Sequence, residues 1–342
     1  MIRRGEQGMF RVGVTRDFLK ADGTNGFGDV GLEMFDEAGI AWEYLPQFST
    51  EIEPEAAQQY DGLFVLGPRV TARTLGESPR LKIVARMGVG YDTIDVPACT
   101  AQGVLLTITP DGVRRPVAAA ALTLVLALTH RLWIKDRLTR TGRWSDRLDY
   151  TGIGTTGATL GIIGYGNIGA DLARLATPLD MRILAADPFA SEQQCREQGV
   201  TLVEVDELVA ESDYVVVCCA LNESTYHLVD ARRIGMMKRR SFLVNVARGP
   251  IVDQAALYEA LREGRILGAG LDVFEKEPID PQDPLLQLEN VIVAPHSLAW
   301  TDECFRGMGR GAVTSLVQVA RGETPRYIVN RDAMKHPRWT RS

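Results

Sequence analysis

The run Thr159-Leu160-Gly161-Ile162-Ile163-Gly164-Tyr165-Gly166-Asn167-Ile168-Gly169 constrains this chain more than any other segment. A strand-like apolar stretch leads into glycines spaced G-x-G-x-x-G and then into a helix-like stretch. At that spacing Gly164 permits a tight strand-to-helix turn, Gly166 lets the backbone approach a pyrophosphate, and Gly169 lets the new helix pack close to the sheet. The helix N-terminus, at Asn167 and Ile168, then holds the anion. A second strand-like run, Met181 to Asp187, ends in a carboxylate about 20 residues past the loop, where the adenosine ribose hydroxyls would lie. The combination predicts a dinucleotide site. Asp187 is followed by Pro188 and Phe189 rather than by an arginine, which favours NAD over NADP because a carboxylate repels a 2′-phosphate.

At 342 residues, with 45% hydrophobic and 24% charged residues, the chain has room for two globular domains. A formal charge of −6 gives no basic field for nucleic acid or an acidic membrane surface. The five cysteines have no framework spacing and read as buried thiols of a reducing compartment. The start, Met1 to Gly5, carries basic residues with no apolar leader after them, and the apolar run Val117 to Thr129 is too short to span a bilayer. A cytoplasmic protein is expected. No metal site is read.

Residues 10 to 110 alternate short apolar runs with helix-like stretches, the rhythm of a parallel sheet with crossover helices. A single long helix is expected from about Pro116 to Arg140, with Gly142 just beyond its end. From Thr159 six strands are expected, at 159–164, 181–187, 213–219, 241–247, 266–273 and 290–294. Asp253 should cap a helix over Gln254 to Arg262, and a last helix should run roughly from Thr301 to Arg321. The fold class is α/β, with two doubly wound parallel-sheet domains: a Rossmann dinucleotide-binding domain and a flavodoxin-like substrate domain.

Parallel strands put their carboxyl ends on one rim, so residues that follow the strands should converge beside the cofactor. Arg248 follows Val244-Asn245-Val246-Ala247, Asp272 and Glu277 follow Leu267 to Leu271, and His296 follows Val291 to Pro295. Hydride transfer between an alcohol and a nicotinamide needs a group that exchanges the hydroxyl proton and a cation that aligns the substrate. Of the four histidines, His130 reads as packed on an apolar helix, and His227 and His336 as exposed; His296 alone follows a core strand. A second G-x-G, Gly88-Val89-Gly90, can present backbone N–H groups to a carboxylate. The glycine-rich stretch Asp22 to Gly28 reads as a flexible surface turn.

Together these segments resemble the D-isomer-specific 2-hydroxyacid dehydrogenase family over nearly the whole chain. The resemblance rests on Arg86-Met87-Gly88-Val89-Gly90-Tyr91-Asp92, the Gly164 to Gly169 loop, Asn245-Val246-Ala247-Arg248-Gly249, Leu271-Asp272-Val273-Phe274-Glu275-Lys276-Glu277-Pro278 and Ala294-Pro295-His296-Ser297. It implies His296 as the acid/base, Glu277 as its partner, Arg248 as the substrate-binding cation, Val89 and Gly90 as backbone donors, and Asp272 as a holder of the nicotinamide carboxamide. It also implies a homodimer built on the long helix. The substrate domain would be discontinuous (1–113 and 298–342) around an NAD-binding domain at 114–297. The chain departs from the family at Val117-Ala118-Ala119, where many members carry Val-Ala-Glu, at Arg114-Arg115-Pro116, and at Ser297-Leu298-Ala299-Trp300. Trp300 would shape the substrate pocket. The expected partner is a small 2-keto or 2-hydroxy acid, with glyoxylate or hydroxypyruvate favoured. An NAD-sensing corepressor of this fold and a formate dehydrogenase relative are the alternatives.

Overall fold

In the computed structural model, which describes residues 9–76 and 78–340, the chain divides into two compact units. One comprises residues 1–113 and 300–342, the other residues 114–299. Residues 1–5, read above for a leader, lie outside the described residues.

The first unit holds a five-stranded, all-parallel sheet: β1 (Arg11–Val14), β2 (Ala41–Tyr44), β3 (Gly62–Val65), β4 (Ile83–Arg86) and β5 (Leu105–Thr107), in the order β2-β1-β3-β4-β5. That is the flavodoxin-like order. Its central strand β3 is buried throughout, from Gly62 to Val65, as expected for a parallel sheet covered on both faces. The helix Asp302–Ala320 returns to this unit, and its N-cap Thr301 accepts the Cys304 N–H at 3.1 Å.

The second unit carries seven parallel strands rather than the six expected: β6 (Thr159–Ile163), β7 (Arg182–Ala186), β8 (Val200–Leu202), β9 (Tyr214–Val217), β10 (Phe242–Asn245), β11 (Gly268–Leu271) and β12 (Val291–Val293). Their order, β12-β11-β10-β9-β6-β7-β8, is the doubly wound dinucleotide-binding arrangement with one strand added at the β12 edge. Alternate residues feed two cores. Ile163, Val215, Val217, Leu243 and Leu271 line one face, and Leu160, Ile162, Tyr214, Val216 and Val244 the other. The period of two along each strand is what separates them.

The long helix differs from expectation. It runs as Pro110–His130 and then Leu132–Arg140, interrupted at Arg131, whose φ of 51° is left-handed. Pro116 falls inside the first helix rather than in its first turn, where it supplies no N–H to the Gly112 carbonyl and sets its ring against it. At 21 residues this helix has the length and composition of a membrane span. Ala118, Ala121, Leu124, Val125 and Leu128 nonetheless lie in the core of the second unit, which makes it a core helix. His130, at its end, is exposed rather than packed. Asp253 caps Gln254–Arg262 through the Ala256 N–H at 2.9 Å, as read from the sequence.

Candidate active site

The glycine loop begins where β6 ends. Gly164 has φ +93°, and a Cβ there would lie 2.5 Å from the backbone of Cys219, so no side chain fits the turn. A Cβ on Gly169 would come within 2.2 Å of the Gly164 carbonyl, which is why the helix Asn167–Ala176 can start so close to the strand. Gly166, by contrast, faces open space and gives this helix no side-chain cap. The first-turn N–H groups of a helix have no intrahelical acceptor, so an uncapped end beside open space suits a pyrophosphate. Asp187 follows β7 directly. Its carboxylate accepts the Tyr165 N–H and the Phe189 N–H, each at 2.8 Å, and so ties the strand end to the glycine loop. The residues present fit a dinucleotide. Cys218 and Cys219 follow β9, where burial pushes their thiols up to about 12 and about 11, respectively, and keeps both protonated. All five cysteines are free.

Farther along the rim the register of β10, β11 and β12 sets three strand ends side by side, with Asn245 opposite Leu271 and Leu271 opposite Val293. After β10 the Asn245 side chain holds the turn, accepting the Ala247 N–H at 3.0 Å and donating to the Arg248 carbonyl at 2.9 Å. Arg248 is half-buried, and its Nη1 donates to the Ala247 carbonyl at 2.7 Å. Gly249 packs so tightly on the next loop that a Cβ would lie 1.8 Å from the carbonyl carbon of Phe274. The loops carrying Arg248 and Glu277 therefore touch through backbone.

Glu277 and His296 meet directly. His296 Nδ1 lies 2.7 Å from Glu277 Oε2, while Glu277 Oε1 accepts the Phe274 N–H at 3.0 Å. Burial pulls the Glu277 carboxyl upward, but the His296 and Phe274 hydrogen bonds, with the charges of His296 and Arg248, outweigh it and hold the group below the ordinary carboxylate range. Glu277 is thus ionised at neutral pH. His296 adopts a left-handed φ of 52°, a conformation costly to a residue with a Cβ. Asp272 holds it there: its carbonyl accepts the His296 N–H at 2.8 Å, and its carboxylate accepts the Ser297 and Leu298 N–H groups at 2.9 and 3.1 Å. Asp272 is only 5% exposed. Burial raises its carboxyl above the ordinary value, against the opposing pull of the Leu298 and Ser297 N–H groups.

In the first unit, the Gly88 N–H donates to Thr109 Oγ1 at 2.8 Å and the Thr109 N–H donates to the Gly88 carbonyl at 2.9 Å. This double bond to one threonine fixes the turn in which Val89 and Gly90 sit, both half-buried. Trp300 is 53% exposed, and its ring packs edge-on against Phe27 and Phe305 with centroids 5.7 and 5.6 Å away. The Asp22 to Gly28 loop is a built structure rather than a simple turn. The Lys20 N–H donates to the Thr24 carbonyl, the Gly26 N–H to the Phe18 carbonyl, and Asn25 Nδ2 to the Gly28 carbonyl. Phe27 anchors it against Phe18, Trp300 and Phe305.

One pair escaped the sequence reading. His227, expected to be exposed, is half-buried and bonds Glu275 at 2.8 Å. The partners lie 48 residues apart, and no local pattern links them.

Comparison with known proteins agrees with the two-sheet α/β fold. Residues 122–297 match the family model described as D-isomer specific 2-hydroxyacid dehydrogenase, NAD binding domain. A glyoxylate reductase of Korarchaeum cryptofilum is 41% identical over 298 residues, covering 86% of this chain and 90% of that protein. A D-3-phosphoglycerate dehydrogenase of Archaeoglobus fulgidus is 38% identical over 301 residues, covering 88% of this chain and 55% of that one. Among solved structures, a D-lactate dehydrogenase of Aquifex aeolicus complexed with NAD and lactic acid superposes with a TM-score of 0.79 at 26% identity, over 93% of this chain and 99% of that one. With its glycine loop, its two parallel sheets and these relatives, the chain belongs to the D-isomer specific 2-hydroxyacid dehydrogenases, a family of NAD-dependent oxidoreductases.

Proposed function

We propose that the chain reduces a small 2-keto acid to the D-2-hydroxy acid, with His296 as the acid/base. The observation that carries this reading is the His296–Glu277 pair, 2.7 Å apart on the strand-end rim that also bears the glycine loop. NADH, when bound, supplies the hydride for C2. An ionised Glu277 accepts from Nδ1–H, which leaves Nε2 as the nitrogen that gives a proton to the forming alkoxide. Arg248 aligns the keto acid through a planar guanidinium. Glyoxylate is the favoured substrate, since the curated relatives of 36 to 41% identity include several glyoxylate reductases.

The sign of the pH dependence tests the pair. Reduction draws a proton from His296, and Glu277, held below the ordinary carboxylate range and so ionised, accepts from its Nδ1–H. Removing the charge with Glu277→Gln is expected to move the alkaline limb of kcat/KM for keto-acid reduction to lower pH, and the acid limb of hydroxy-acid oxidation in the same direction. Limbs that stay in place would show that Glu277 does not act on His296.

A further inference from the structure

Two histidine–carboxylate pairs share the turn after β11. Glu277 takes His296, and two residues earlier Glu275 takes His227. His227 is held on several sides. Its N–H donates to the Pro250 carbonyl at 2.8 Å, its Nε2 lies 2.8 Å from Glu275 Oε1, and the Tyr226 ring stacks on the imidazole at 4.2 Å. Its φ of 49° is left-handed, so local structure is paying a cost to keep the ring where it is. Glu275 is equally committed: Oε1 also accepts the Gln254 N–H at 2.9 Å, at the start of the helix Gln254–Arg262, and the Glu275 N–H donates to Gln254 Oε1 at 3.2 Å.

The consequence is geometric. Through its backbone His227 holds the Arg248-Gly249-Pro250 segment, and through its ring it holds the Glu275-Lys276-Glu277 segment. These are the two loops whose relative position fixes a guanidinium against a His296–Glu277 pair. Direct backbone contact between them, Gly249 on Phe274, sets how close they come, and Gln254 bonds Glu275 where the following helix begins. The His227–Glu275 bond adds a tie that runs through Pro250, two residues from Arg248.

We propose that His227 is a positioning residue for the reaction, a staple that keeps Arg248 and Glu277 in register without touching substrate or cofactor. This rests on the functional reading above. In His227→Ala the two loops lose the tie that runs through Pro250, while the Gln254–Glu275 bonds, the glycine loop and Asp187 are untouched. His227→Gln places an amide donor near the position of Nε2 and cannot carry a charge, so it separates the hydrogen bond from titration.

The experiment measures glyoxylate reduction, NADH affinity by fluorescence and thermal unfolding for the wild type, His227→Ala, His227→Gln and Glu275→Gln. A loop displacement well under 1 Å is expected to lower kcat of His227→Ala by roughly tenfold, with NADH affinity within about twofold of wild type and His227→Gln recovering most of the loss. Glu275→Gln keeps an acceptor for the Gln254 N–H and is expected to lose activity by a few-fold; it carries the test if the alanine variant does not fold. A folded His227→Ala or Glu275→Gln enzyme with wild-type kcat, or alanine and glutamine variants equally impaired, would overturn the staple. A folded wild-type protein that oxidises NADH with no 2-keto acid would overturn the staple and the functional reading together, because nothing would then remain to be positioned.

Discussion

His296→Ala is expected to lower kcat/KM by about 10²- to 10⁴-fold in both directions, the range for removing a general acid–base. The residue is committed to one geometry: its backbone is held left-handed by three N–H bonds to Asp272 at positions 296, 297 and 298, and its ring by Glu277. Alanine keeps all three backbone bonds, so the turn should survive and only the proton carrier is lost. NADH affinity should change little, because Gly164, Gly166 and Asp187 sit on β6 and β7 ends remote in sequence from the β12 end. Near-normal turnover in a folded His296→Ala protein would remove His296 from the mechanism.

Arg248→Lys is expected to cost at least roughly tenfold in kcat/KM, about 1.4 kcal/mol of transition-state stabilisation. Lysine retains the charge and loses the planar fork that matches a carboxylate or keto oxygen with paired bonds. It also loses the Nη1 bond to the Ala247 carbonyl, which helps to fix the side chain over its own loop. Unimpaired steady-state kinetics in the lysine variant would place Arg248 outside substrate alignment.

The parts of the fold legible in the sequence are those that carry a strong local signal. The interior strands of both sheets are continuous apolar runs, because they are buried on two faces, and Asp253 and Thr301 announce helix starts by side-chain chemistry. The strand that escaped, β8 with Val200-Thr201-Leu202, is the outer strand at one edge of its sheet. Edge strands are half-exposed and short, so they lack the apolar run by which a buried strand is recognised. The break at Arg131 was invisible for a different reason: Thr129-His130-Arg131-Leu132 contains neither glycine nor proline, the residues that usually mark an interruption. Strand-end residues could be placed on one rim from topology alone. The His227–Glu275 bond could not, since it depends on how two loops fold over each other.

The account stands most directly on one measurement: consumption of NADH, and separately of NADPH, with glyoxylate, pyruvate and hydroxypyruvate, followed by chiral analysis of the products of the last two. Preference for NADH, set by the Asp187 carboxylate, and formation of D-lactate or D-glycerate are the predicted results. Absence of turnover across the series, formation of the L-enantiomer, or equal efficiency with NADPH would contradict it.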